Sequence, residues 1–141
     1  MTEKTPTVAF VCVRNAGRSQ MATAFAEREA EERGVDVEII TGGTRPADEV
    51  HGVVADVMEE EGFEIRDRTP REVTAEELAD TDYVVTMGCE ASDVCPATFA
   101  GESRDWNLDD PGEATHEKAR EIRDEIERRV DAFFDELEER S

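Results

Sequence analysis

A cysteine and an arginine with five residues between them bracket the run Cys12-Val13-Arg14-Asn15-Ala16-Gly17-Arg18, and Ser19 follows. A loop this short, curled in front of a helix, can turn successive backbone N–H groups inward on a tetrahedral oxyanion, and the helix dipole adds positive potential. Val13, Arg14, Asn15, Ala16 and Gly17 would line the cup. Arg18 would close it with a planar fork that grips two oxygens. In that field the Cys12 thiol is expected to ionise below its free pKa of about 8.5, with Ser19 donating a hydrogen bond to the thiolate. A nucleophile is thereby set beneath a bound oxyanion. Asn15 tolerates the left-handed conformation such a curl needs, and Gly17 permits close approach or positive φ.

The bare Cys-x5-Arg spacing is a weak signal in a chain with three cysteines and many arginines. Its setting strengthens it, because it follows an apolar run and opens a helical one. Read blandly, the pair is a core cysteine beside a surface arginine. The other cysteines, Cys89 and Cys95, fall in TMGCEASDVCP, just after another apolar run. An odd number of cysteines without export features does not read as a disulfide framework, so any chemistry they carry is expected to be catalytic, redox or metallic, the bland alternative being that Cys89 and Cys95 are inert core residues. The cysteines lack Cys-x2-Cys spacing, and neither His51 nor His116 has a partner at metal spacing, so no metal is assigned.

The elements that must hold this loop follow from periodicity. Thr7 to Val13 is short, valine-rich and nearly continuous, which predicts a central parallel strand. Ser19 to Arg33 has apolar residues at helical spacing, and Gly34 stops it. Val35 to Thr41 predicts a second strand ended by Gly42-Gly43, and Asp48 to Glu61 a second helix closed by Gly62. Thr74-Ala75-Glu76-Glu77 is a capping box for a short helix to about Ala79. Tyr83 to Met87 and a shorter run, Arg104 to Leu108, predict further strands. From Thr115 onward an apolar stripe from Ala119 to Leu137 predicts the longest helix. Alternating strand and helix imply an α/β fold, a parallel sheet between helices with its active edge beyond the strand C-termini.

The 141 residues fit one domain, 1–141, with 37 acids against 16 Lys plus Arg, a net charge of −21. So acidic a surface repels itself at low ionic strength and stays soluble when salt screens it, as in proteins adapted to high salt. It argues against nucleic acid and anionic membranes as partners. No apolar stretch approaches the ~20 residues of a membrane span, and MTEKTPTVAF lacks a signal peptide's features, so a cytoplasmic location is expected.

The sequence resembles the low-molecular-weight protein tyrosine phosphatase superfamily, in particular its thioredoxin-recycled arsenate reductases. The likeness is carried by Cys12 to Ser19, Gln20-Met21-Ala22, the TGGT at Thr41 to Thr44, Cys95-Pro96 and the WNLDDP from Trp106 to Pro111. It implies a four-stranded parallel sheet flanked by helices on both faces, a covalent intermediate on Cys12, and Asp110 as general acid. The last role has its own rationale: an oxygen leaving group needs a proton donor opposite the nucleophile, and Asp110-Pro111-Gly112 is turn chemistry suited to a loop. Asp109 is its neighbouring competitor. Trp106 reads as either a shield beside that loop or plain packing.

A phosphatase needs one thiol, whereas reducing arsenate to arsenite takes two electrons, which a dithiol supplies. The resemblance implies Cys89 as the second thiol and Cys95 as the resolving one, with their disulfide offered to thioredoxin or a similar dithiol reductant. Cys89 and Cys95 stand one residue closer than is usual in that branch. The glutamate that the family uses for potassium is Thr23 here, though Asn15 is retained, and no cofactor is assigned. The substrate is thus expected to be an arsenate or phosphate oxyanion. A phosphatase acting on phosphomonoesters through Cys12 is the alternative enzyme, and an anion sensor without turnover is an alternative of another class.

Overall fold

Residues Thr7 to Cys12 are all buried, the side chains of Val8 to Cys12 dividing between two separate apolar cores. A strand covered on both faces has no solvent side to mark with polar residues, which is why this run is almost uninterruptedly apolar. The computed structural model describes residues 5–12, 14–43, 45–87, 102–106, 108 and 114–140. It places this strand, β1 (Thr7–Cys12), inside a sheet with β2 (Glu38–Gly43), β3 (Tyr83–Thr86) and β4 (Glu102–Asp105) in the order β2-β1-β3-β4. Every neighbouring pair is parallel. The ends of the inner strands are in register: Cys12 lies opposite Gly43, and Val11 opposite both Gly42 and Thr86.

Helix α1 (Arg18–Arg33) joins β1 to β2, α2 (Gly52–Glu59) and α3 (Ala75–Ala79) lie between β2 and β3, and α4 (His116–Arg140) ends the chain. Val8, Phe10 and Cys12 share the larger core with α1, α2 and α4, while Ala9 and Val11 share the smaller one with Val73 and Leu78 of α3. Phe10 anchors the larger core, its ring 6.0 Å from that of Trp106 and 6.5 Å, edge-on, from that of Phe133. Trp106 is therefore a packing residue. Gly34, at φ 66°, ends α1 with the amide of Val35 turned back on the Ala30 carbonyl. The expected capping box of α3 is present in both directions.

Several boundaries differ from the sequence reading, each for a tertiary reason. The second strand begins at Glu38 instead of Val35, because Val35 is spent closing α1, and it runs through both glycines instead of stopping at them. Gly42 must stay bare there: a Cβ would meet that of Val73 at 2.6 Å. The second helix, Gly52–Glu59, is shorter than Asp48 to Glu61; the segment ahead of it is laid along the Cys12 loop instead, where the amides of Ala47 and His51 donate to the carbonyls of Arg14 and Ala16. His51 is consequently the N-cap of α2 and not a helical residue. The last strand is Glu102–Asp105, earlier than Arg104 to Leu108, pairing in register with β3.

Charge is managed on the helical flank. Arg33, near the end of α1, reaches Glu29 at 2.7 Å and Asp131 and Asp135 of α4 at 2.5 and 2.9 Å. Arg123 of α4 is buried and donates to the Val57 carbonyl at the C-terminal end of α2 and to Glu60, both at 2.9 Å. A cation at that end meets both unpaired carbonyls and the negative pole of the helix.

Candidate functional site

The loop from Cys12 to Gly17 leaves the end of β1 and runs directly into α1. Two polar groups converge on Cys12 Sγ: the Asn15 backbone N–H donates to it at 3.2 Å, and Ser19 Oγ lies 2.9 Å away. The direction of the second contact follows from its surroundings. Asn15 Nδ2 donates to Ser19 Oγ at 2.7 Å, which leaves the hydroxyl proton for the sulfur. Backbone curl and helix start therefore aim two donors at one sulfur.

Asn15 carries the tight part of the curl, with φ 51°. A short amide side chain is among the few that tolerate this conformation, so the left-handed position falls here and not on Gly17, whose φ is −141°. Asn15 is fully buried, yet its side chain is saturated. Oδ1 accepts the Arg71 backbone N–H at 3.0 Å and Gln20 Nε2 at 3.1 Å, while Nδ2 donates to Ser19 Oγ and, at 2.8 Å, to Thr41 Oγ1. The Arg71 amide can only donate, so it fixes which end of the Asn15 amide is oxygen. One residue thus ties the loop to β2, to α1 and to the strand-like segment before α3.

Arg71 supports the same corner. Its guanidinium donates to the Thr41 carbonyl at 2.7 Å and to Glu77 Oε2 at 2.6 Å. The hydrogen bond from Arg71 is the main reason that the Glu77 carboxyl lies below its ordinary value. Among the described residues, Gln20 Oε1 and Thr23 Oγ1 find no partner and are buried. They do not make a potassium site on their own: Asn15 Oδ1 already accepts two N–H donors, and Thr23 supplies no carboxylate. Among the described residues no three His, Cys, Asp or Glu are grouped to hold a metal, and no helix is long and apolar enough to cross a membrane.

Arg18 opens α1 and is buried, with Nη1 donating to the Leu108 carbonyl at 2.9 Å. The closing arginine of the loop is thereby linked to the chain just ahead of Asp109-Asp110. Arg14, Asn15, Ala16, Gly17, Arg18 and Ser19 are gathered at one corner with Cys12, whereas Val13, Cys89, Cys95 and Asp110, with its neighbour Asp109, lie outside the described residues. Sequence reasoning assigned no role to Gln20, Thr41, Arg71 or the Leu108 carbonyl. Gln20 and Thr41 stood within recognisable segments, but Arg71 and Leu108 carried no local signal.

Comparison with known proteins agrees with this fold. Residues 7–141 match the family model described as low molecular weight phosphotyrosine protein phosphatase. A Halobacterium salinarum protein, provisionally named an arsenate reductase, is 55% identical over 137 residues, covering 96% of this chain and 95% of its own. The fold superposes on a thioredoxin-dependent arsenate reductase of Corynebacterium glutamicum with a TM-score of 0.79 and 34% identity, over 100% of this chain and 66% of that one. It also superposes on an arsenate reductase solved in a phosphate-binding state, with a TM-score of 0.78 and 29% identity, over 93% of this chain and 98% of that one.

Proposed function

Because this chain belongs to the low molecular weight phosphotyrosine protein phosphatase family, we propose that it is a cytoplasmic arsenate reductase acting as a single domain, 1–141, on a four-stranded phosphatase-like sheet. The observation that carries the reading is the convergence of the Asn15 N–H and the Ser19 hydroxyl on Cys12 Sγ at the mouth of a loop opening into a helix. Hydrogen bonds to sulfur stabilise the nucleophilic form, and successive loop amides with Arg18 make a cradle for a tetrahedral oxyanion. The choice of branch is supported by the names of the relatives and by the presence of Cys89 and Cys95 beyond the nucleophile.

Chemically, Cys12 attacks arsenic and displaces one oxygen, which leaves as water after protonation by Asp110. A second thiolate, Cys89 in this reading, then attacks the Cys12 sulfur. The sulfur–arsenic bond breaks with its electron pair staying on arsenic, so arsenite departs and a Cys12–Cys89 disulfide remains. Cys95 resolves that disulfide, leaving Cys89–Cys95 oxidised for a dithiol reductant such as thioredoxin. Arg14, Asn15, Ala16 and Gly17, with Val13, supply the amides of the cradle.

Mapping of thiols by mass spectrometry after one equivalent of arsenate tests this reading. The expected product is a Cys89–Cys95 disulfide, with a Cys12–Cys89 disulfide trapped in Cys95→Ser. Arsenate reduction at undiminished rate in both Cys89→Ser and Cys95→Ser would overturn the relay, and hydrolysis of phosphomonoesters with no arsenate reduction in the wild type would favour the phosphatase, whose chemistry needs Cys12 alone.

A further inference from the structure

We infer that Arg71 is a positioning residue for the Cys12 loop: its guanidinium fastens the segment whose backbone amide holds Asn15, and makes the loop's geometry independent of a bound potassium ion. This rests on Cys12 as the nucleophile of the reading above and goes beyond it, because it holds for a reductase and a phosphatase alike. Both backbone polar groups and the guanidinium of Arg71 are spent at this corner. Its N–H donates to Asn15 Oδ1 at 3.0 Å, and its carbonyl accepts the Gly43 N–H at 2.9 Å. Its guanidinium donates to the Thr41 carbonyl at 2.7 Å and to Glu77 Oε2 at 2.6 Å. Glu77 is itself held, because its Oε1 accepts the Thr74 N–H at 3.1 Å in the capping box of α3. The side chain therefore braces β2 against α3, and the amide between them is aimed at Asn15.

Thr41 closes the circuit. Its carbonyl takes the guanidinium, and its hydroxyl accepts Asn15 Nδ2 at 2.8 Å, so Arg71 governs one end of the Asn15 amide directly and the other through Thr41. Asn15 passes that order to the sulfur by its own N–H, 3.2 Å from Cys12 Sγ, and by Nδ2 on Ser19 Oγ. An ion pair as exposed as Arg71 with Glu77, at 46% and 30%, adds little to stability. What it supplies is direction, because a planar fork holds two oxygens at fixed angles at once. Without the fork, the segment is tied to β2 by its two backbone bonds with Gly43, at 2.9 and 3.2 Å, and the Asn15 amide is free to turn. The same fork disfavours a bound cation. A guanidinium fixed on the Thr41 carbonyl repels a second positive charge from the oxygens beside it. Glu77, the carboxylate in contact with it, is already engaged by Arg71 and Thr74, and Asn15 Oδ1 accepts two N–H donors.

The test is the pH profile of Cys12 alkylation by iodoacetamide, followed on the peptide that carries Cys12, in Arg71→Ala, Arg71→Lys and Arg66→Ala. Arg66, bonded to Asp56 and Glu59 and 49% exposed, is the control for loss of a surface ion pair. Arg71→Ala is expected to slow alkylation about threefold to tenfold at about pH 7 and to carry the midpoint to higher pH, because a thiol whose donors are no longer held ionises less readily. Arg71→Lys, which keeps the charge without the planar fork, should recover part of the rate. Arg66→Ala should match the wild type. In the wild type, exchanging potassium chloride for tetramethylammonium chloride at constant ionic strength should leave the rate unchanged wherever circular dichroism stays native. Equal profiles in Arg71→Ala and the wild type would overturn the inference, as would equal slowing in Arg66→Ala or a wild-type rate that rises to saturation with potassium. A wild-type midpoint at the free-thiol value of about 8.5 would overturn Cys12 as the nucleophile, and this inference with it.

Discussion

The loop corner and the helical flank solve the same problem, polar groups in a small protein, by opposite means. At the corner, neutral amides and hydroxyls are buried and matched one to one: Asn15 satisfies four partners with one side chain, and Ser19 is left with a single proton to give. On the flank, charges are paired in excess and near water, as where Arg33 meets Glu29, Asp131 and Asp135. Buried neutral networks are rigid, and they fail when one member is removed, because its partners are stranded. Exposed ion pairs are individually weak and mutually redundant. Precision is therefore concentrated where the sulfur must be aimed, and tolerance where the acidic surface must merely be held together.

Four substitutions put that contrast under strain. Cys12→Ser should have the largest effect, lowering turnover at least about a thousandfold while oxyanion still binds; equilibrium binding beside single-turnover kinetics separates the two, and retained turnover would remove Cys12 from the chemistry. Asn15→Ala should come next. It strands buried partners and loses a residue suited to positive φ, at an expected cost of about 3 kcal/mol in chemical denaturation, together with slower alkylation of Cys12. On the flank, Arg123→Met should cost about 1–2 kcal/mol, through the Val57 carbonyl left without its donor and Glu60 left with Arg120 alone, yet leave catalysis intact. Loss of activity in Arg123→Met equal to that in Asn15→Ala would erase the distinction between the regions.

The smallest effect concerns acid. Hydrogen bonds from Arg120 and then Arg123 hold the Glu60 carboxyl at about 2, against 4.5 ordinarily. A depressed carboxyl stabilises the fold fully above its unfolded value and ceases to do so as pH falls through its folded one. Melting temperature should thus drop between about pH 5 and about pH 2, and Glu60→Gln should flatten part of that drop. An identical profile in the variant would mean that the pair contributes nothing measurable.

Much of this was legible in the chain itself. The apolar run before Cys12, the helix that Gly34 stops, the capping box at Thr74 and the apolar stripe of α4 are local patterns, and each appears where its spacing placed it within a few residues. The second strand was less legible. Val35-Asp36-Val37 looks like strand until Gly34 spends the Val35 amide on α1, and Gly42-Gly43 looks like a break until Val73 comes close enough to forbid a side chain. In both cases a residue remote in sequence, or a helix end, overrode local propensity.

By itself, then, the sequence determined the strand, loop and helix around Cys12, and with them the candidate nucleophile and the class of substrate proposed for it, because backbone curl, helix start and residue type are set within a dozen neighbouring positions. Only the tertiary structure decided that Thr41 and Arg71 hold Asn15 and that Arg18 meets the Leu108 carbonyl. Those contacts join residues 26 to 90 positions apart. A hydrogen bond over such a span exists only once sheet register and helix packing have brought the two groups within about 3 Å, a condition no local pattern encodes.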